Sequence, residues 1–415
     1  MKVRKTIFAF FACLLAFGAV NAKRHFVGGD ISLLPEYENA RARYLDQNGK
    51  VIPDLLEFCY DQGMNAMRVR LFVNPSDFPG NDPNVCQDLD YIIPLCARIK
   101  SAGHALMLDF HYSDTWADPV KQWTPKAWQG LSDMELYQKI YDYTKGTLAT
   151  LKDNGIVPDF IQTGNEISYG MLWGASNASS SSLKKVYSGS DENWPRFTTL
   201  LRKAIQACRE ECPNARIVLH TERIEKTNIQ QFFYSQMEKY KVDYDIIGLS
   251  YYPYFHGKMS VLDNALTLLE NDFPDKEIMI VETGYSYAWE VPGTNREVDY
   301  PYSNDGQNRF ATDLLATLAK HEAVTGIFWW WMEYNAYGTS LSGWYNAPLF
   351  DSRNGRAQKA LATLATFSST GTTGIDEITP SLPESNVWYD LMGRPVVDPT
   401  LPGIYIRNGK KVLIR

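Results

Sequence analysis

A surplus of basic charge is missing: 41 Lys and Arg stand against 48 Asp and Glu, a net charge of −7. Nucleic acid and anionic membrane reward basic patches, so neither is expected as a partner. Beyond the N-terminal leader, no apolar run approaches the roughly 18–20 residues of a membrane span. "VGGD" lacks the GxGxxG spacing of a dinucleotide loop. Cysteine is scarce as well. Cys13 falls in the leader, leaving Cys59, Cys86, Cys96, Cys208 and Cys212, an odd set that cannot pair completely. No CxxC or Cys/His cluster has zinc spacing, so these thiols read as small buried side chains.

The first 22 residues have the pattern of a secretory signal: basic Lys2, Arg4 and Lys5, an apolar stretch Ile7 to Val20, and small residues before Ala22. Cys13 lies inside the apolar stretch, which argues against a lipid anchor. Export is therefore expected, to the periplasm, the cell surface or outside. Aromatics are abundant at 13%, with 11 Trp and 25 Tyr. Most serve core filling, but Trp in loops can form platforms for flat apolar ligand surfaces.

Eight short apolar or β-branched runs alternate with helical patterns, from "HFVGGDIS" (25–32) and "NAMRVRLFV" (65–73) to "EIMIVETGY" (277–285) and "GIFWWWMEY" (326–334). Amphipathic stretches at 133–155 and 194–211 lie between them. Such alternation predicts an α/β chain, a (β/α)8 TIM barrel over 23–367, with a doubly wound open sheet as the other option. The open sheet loses because no Gly-rich loop follows the first strand. "SSTGTTG" (368–374) reads as a linker. Residues 375–415 carry turn dipeptides between short alternating runs and read as a small C-terminal β-rich tail.

Active sites of such barrels sit at the C-terminal strand ends. Glu166 ends the fourth run and Glu282 the seventh, nearly opposite each other around a ring of eight. Two opposed carboxylates suit glycosidic bond cleavage, one protonated and one ionised, about 5–5.5 Å apart if the configuration is retained. Arg68 and Arg70 share a strand face and need anions; Arg68 beside Glu282 would lower its pKa, while desolvation would raise that of Glu166. Asn165 can hold a sugar hydroxyl. Glu222 is a competing carboxylate, read as ion-paired to Arg223. Asp109 and His111 can be satisfied core polars. Trp116, Trp173 and Trp344 are expected to line the cleft, with Asp114, Asp118 and Gln122 binding hydroxyls. Of the adjacent Trp residues in "FWWW", at least one should point into the barrel mouth.

"GGDIS", "GMNAMRVRLFVNP", "DFHYSDTWADP", "IQTGNEISYGMLWG", "DIIGLSYYP" and "IVETGY" together resemble the family 53 glycoside hydrolases, the endo-β-1,4-galactanases of clan A. The resemblance runs from about Phe26 to Phe367. It implies a retaining mechanism with Glu166 as acid/base and Glu282 as nucleophile. It also places the family's strand-two Arg on Arg68, strand-three His on His111, strand-six Tyr on Tyr252 and strand-eight Trp on Trp330. Two departures stand out. Many relatives have Glu-Pro after that Trp, where this chain has "WMEY". Bacterial relatives can hold calcium after strand seven, but Glu290, Glu297 and Asp299 come here without a His, so no metal or other cofactor is expected. The tail resembles C-terminal sorting tails of exported enzymes in some Gram-negative bacteria; a flap docked on the barrel is the alternative. The expected partner is a polysaccharide, β-1,4-galactan, acted on by a monomer. Mannan- or xylan-cleaving barrels and a non-catalytic galactan-binding barrel are the competing readings.

Overall fold

The computed structural model describes residues 23–77, 82–291, 298–335 and 347–370, together with the strand residues of a C-terminal sheet. Eight parallel strands close in chain order: β1 (Phe26–Asp30), β2 (Ala66–Leu71), β3 (Ala105–Phe110), β4 (Phe160–Thr163), β5 (Arg216–Thr221), β6 (Ile246–Tyr251), β7 (Glu277–Thr283) and β8 (Val324–Trp329). The expected (β/α)8 barrel is the observed one. Its two longest helices, Asp133–Asp153 and Trp194–Glu211, cover the two amphipathic stretches. The first begins in a capping box of Ser132 and Glu135, and Gly155 follows its end at a φ of 74° that favours glycine.

Along each strand, side chains alternate between the helix-facing core and the barrel interior. Phe26, Ala66, Met107, Phe160, Val218, Ile246, Met279, Val281 and Phe328 belong to the interior cluster. Above them the same alternation brings Asp30, Arg68, Arg70, Asp109, Gln162, His220 and Ser250 to the inner face, all buried. The rule fails at two irregularities, and the one near the end of β7 bears on the site. On β7, Met279 and Val281 face inward, so residue 282 should face the helices. The pairing slips instead: Leu249 pairs with Ile280 but Ser250 pairs with Glu282, and a matching slip occurs against β8. This β-bulge turns Glu282 back toward the mouth.

Contacts divide the chain into residues 1–372 and 373–415. The second unit carries an antiparallel sheet of β9 (Trp388–Tyr389), β10 (Pro395–Val396), β11 (Gly403–Arg407) and β12 (Lys410–Ile414), ordered β10-β9-β11-β12. The stretch read as linker starts too early. Phe367–Thr370 is a helical turn, held where His25 stacks on Phe367 at 4.5 Å and its Nδ1 meets Thr370 Oγ1 at 2.8 Å. All eight barrel strands precede this point. A chain ending at Thr370 is therefore expected to melt like the full-length protein. A fall in Tm of more than about 3 °C would show that the barrel depends on residues 371–415.

All five cysteines in the described residues are free, and all but Cys86 are buried. Among the described residues, no helix is long and apolar enough to cross a membrane.

Candidate active site

At the C-terminal mouth of the barrel lies a cleft of about 860 Å³. Glu166, Glu282, Asn165, Tyr252, Trp116 and Trp330 line it together, as do Asp118, Glu222 and Trp331. One oxygen each of Glu166 and Glu282 and one nitrogen of His220 all lie within 4.8 Å of one another.

Glu166 reaches the cleft because the chain leaves β4 abruptly. Gly164 takes a φ of 101°, and Glu166 itself sits at 48°, a conformation that strains a side-chain-bearing residue and clusters at functional sites. The Ser250 hydroxyl donates to Glu166 Oε1 at 2.7 Å. Its single proton is thereby spent, so at the 2.8 Å contact with His220 Nε2 the imidazole must be the donor. His220 Nδ1 then accepts the Glu166 backbone N–H at 3.3 Å. Burial holds this imidazole well below its usual pKa and keeps it neutral. Both ring nitrogens are thus committed to hydrogen bonds around Glu166. Desolvation, followed by the facing carboxylates Glu282 and Glu222, pushes the Glu166 carboxyl well above its usual range.

Glu282 contacts Arg68 Nη2 at 3.0 Å and accepts the Tyr252 hydroxyl at 3.3 Å. Burial pushes its pKa to about 7, outweighing the lowering that Arg68 exerts as expected. Arg68 is divided among several acceptors: it also meets Asp30 at 3.3 Å, Asp109 at 2.8 Å and Asn165 Oδ1 at 2.8 Å. The two carboxyls are still ordered in proton affinity. Glu282 has a guanidinium neighbour, whereas the charges that act on Glu166 are carboxylates.

Asn165 is more committed than the sequence suggested. Its oxygen takes Arg68, and its Nδ2 donates to the Ala117 carbonyl at 2.8 Å, leaving one N–H for a ligand. Trp116 donates its indole N–H to Asp82 Oδ2 at 2.9 Å. Trp330 and Trp331 both line the cleft, although adjacent strand residues would face opposite ways. β8 ends at Trp329, and Trp331 adopts a φ of 55°. Glu222 is the wall residue expected, paired with Arg223 at 2.8 Å and bonded to the Ser168 hydroxyl. The Asp118 carboxylate accepts the Val120 and Lys121 N–H groups at the cleft edge.

Other expected contacts fall away from the cleft. Trp173 is only 1% exposed and donates to the Tyr169 carbonyl, beneath Lys185. His111 is buried with Nε2 on Asp109 at 3.1 Å and Nδ1 accepting the Ala117 N–H. Its Nε2 makes no hydrogen bond among the described residues, but the ring does not belong to the lining of the cleft. Asp114 clasps loops by accepting the Asn74 and Lys126 N–H groups. Gln122 donates to the Asn165 carbonyl at 2.7 Å. Trp344 lies outside the described residues, as does Glu297. In the loop after β7, the Lys258 ammonium pairs with Asp299 at 2.8 Å.

Several members of the site escaped the sequence reading. Asp30 and Ser250 lie within "GGDIS" and "DIIGLSYYP" and His220 lies on β5, but none was singled out; inward parity on a barrel strand could have marked all three. Glu333, buried beyond β8, was also missed. It accepts the Leu33 N–H at 2.8 Å, and burial beside Asp30 pushes its carboxyl to about 8. The unfolded carboxyl titrates near 4.5, so the folded chain binds the extra proton between these values. Stability is therefore lost as pH rises from about 5 to 8. Glu333→Gln keeps the acceptor for Leu33 and is expected to flatten this decline in Tm; an unchanged slope would assign it to other groups.

Paired carboxyls after strands four and seven of a (β/α)8 barrel, in an aromatic cleft, define a glycosidase. The sequence profile of Glycosyl hydrolase family 53 matches residues 26–365, and the chain belongs to that family. An arabinogalactan endo-β-1,4-galactanase of Cellvibrio japonicus is 34% identical over 373 residues, covering 84% of this chain and 93% of the relative. A family 53 catalytic domain from Ignisphaera aggregans superposes with a TM-score of 0.70 at 33% identity, covering 83% of this chain and 95% of that one. A fungal β-1,4-galactanase structure gives 0.69 at 28% identity, covering 82% and 99%.

Proposed function

We propose that this glycosidase is an exported, endo-acting, monomeric hydrolase of β-1,4-galactan that retains anomeric configuration and needs no metal. The observation that carries the reading is the carboxyl pair, with oxygens of Glu166 and Glu282 within 4.8 Å of each other. That closeness is in keeping with the separation of about 5–5.5 Å in retaining pairs and suits direct attack. The choice of substrate rests on the activity for which the Cellvibrio japonicus relative is named. Export would use residues 1–22 as a signal peptide, with residues 375–415 as a sorting tail.

In this mechanism Glu166 enters protonated. Because Oε1 accepts from Ser250, the proton sits on Oε2 and is passed to the glycosidic oxygen as that bond breaks. Glu282 attacks the anomeric carbon as the ionised partner, steadied by Arg68 and Tyr252. Glu166, now a carboxylate, removes a proton from water as the water displaces Glu282 and frees the sugar. The Trp116 and Trp330 rings offer stacking faces for the C–H patch of galactose.

The test is reducing-end release from β-1,4-galactan, mannan and xylan, with NMR of the first-formed anomer. Galactan should be cleaved and the β anomer should appear first. An initial α anomer would overturn retention, preference for mannan or xylan would overturn the substrate, and no cleavage of any would favour a binding protein.

A further inference from the structure

Arg70 is a completely buried cation of the inner face that contacts neither carboxyl of the proposed pair. Its Nη1 meets Asp30 Oδ1 at 2.7 Å, and its Nη2 reaches the Asn84 carbonyl at 3.5 Å. Among the described residues its Nε has no hydrogen-bond partner. Aromatic faces surround the guanidinium instead. Its central carbon lies 4.7 Å from the Trp116 ring, 5.2 Å from Trp331 and 5.5 Å from Trp330. The three rings also form a closed triangle, each pair of centroids 6.0 Å apart. All three line the cleft. A desolvated cation over several indole faces is a strong attraction, and a planar guanidinium suits it better than an ammonium.

The other end of this contact leads to the catalytic pair. Asp30 divides its carboxylate, Oδ1 to Arg70 and Oδ2 to Arg68, and Arg68 holds Glu282. We propose that Arg70 is a positioning residue with two functions: it fixes the tryptophan wall that receives the sugar chain, and it shares Asp30 with Arg68 so that Arg68 stays available to Glu282. Without its charge, Asp30 would rest wholly on Arg68 and compete with Glu282 for it. Glu282 is faced by Arg68 on β2, Asp30 on β1, Asp109 on β3, Glu166 beyond β4, His220 on β5 and Tyr252 beyond β6. Arg70 reaches this set through Asp30.

This inference rests on the proposed role of Glu282, so its test reads Glu282 directly as well as turnover. In the full-length protein, Arg70→Met and Arg70→Lys are compared by KM on polymeric galactan and by carboxyl-carbon NMR titration of Glu282, which needs no substrate. Arg70→Met should raise KM about tenfold and move the Glu282 titration upward by roughly one pH unit. Arg70→Lys restores a charge beside Asp30 but not a plane among the rings. Its titration should return toward wild type while its KM stays high. Asp30→Asn, should the Met variant not fold, is expected to shift the titration downward. Titrations unmoved in Arg70→Met, or in Asp30→Asn where that variant stands in, would overturn the coupling. A KM fully restored by lysine would overturn the role of the ring stack. Absence of galactan cleavage by wild type, with the titrations behaving as stated, would reject the substrate alone.

Discussion

Glu282→Ala is expected to hydrolyse β-1,4-galactan roughly ten-thousandfold more slowly than wild type, because no other group can attack the anomeric carbon from that face. Tyr252 and Arg68 remain at the site but carry no nucleophile at neutral pH. The truncation also vacates space beside Arg68, where a small anion can enter. Azide should therefore restore part of the turnover on an activated aryl galactoside and yield the α-galactosyl azide. Failure of azide to rescue a folded variant, or a loss of only about tenfold, would remove Glu282 from the role of nucleophile.

The second large effect is selective. Glu166→Ala should slow galactan cleavage by about a hundred- to ten-thousandfold, while an aryl galactoside with a good leaving group should form its covalent intermediate nearly as fast as before. Only a poor leaving group needs the proton. Here azide attacks after the intermediate has formed, so the product should be the β-galactosyl azide. The opposite anomers from the two variants fix the two roles; the same anomer from both would exchange or abolish them.

Much of this site could be read in the sequence because its parts lie where strands end. "GNE" and "IVET" each close an apolar run with a carboxylate, and the barrel follows from the eightfold alternation of runs and amphipathic stretches. Arg68 declared its need for an anion by being a charge within a strand. Where side chains just beyond the strand ends turn could not be read. Trp173 was expected in the cleft because it lies ten positions beyond the end of β4, but the chain folds its ring under Lys185. His111 was carried over as a binding residue, but its buried ring does not belong to the lining of the cleft. The net direction of the Glu282 shift was misjudged because burial of the carboxyl outweighs the pull of Arg68, and Asp109 and Asp30 add to the rise.

The slip in β7 makes strand phase part of the chemistry. Val281 and Glu282 together occupy the step that a regular strand would give to one residue, since Ile280 pairs with Leu249 and Glu282 with Ser250. Straightening β7 at constant length would turn the glutamate toward the helices with its identity intact. Removing Val281 would instead absorb the extra residue and leave the glutamate opposite Ser250. A relative can thus keep every named side chain and still be inert if its seventh strand runs without the slip at this spacing. Conversely, a relative one residue shorter here can keep its carboxylate in the cleft. Within this barrel, the path of the chain between Met279 and Thr283 is as much a catalytic specification as the glutamate it delivers.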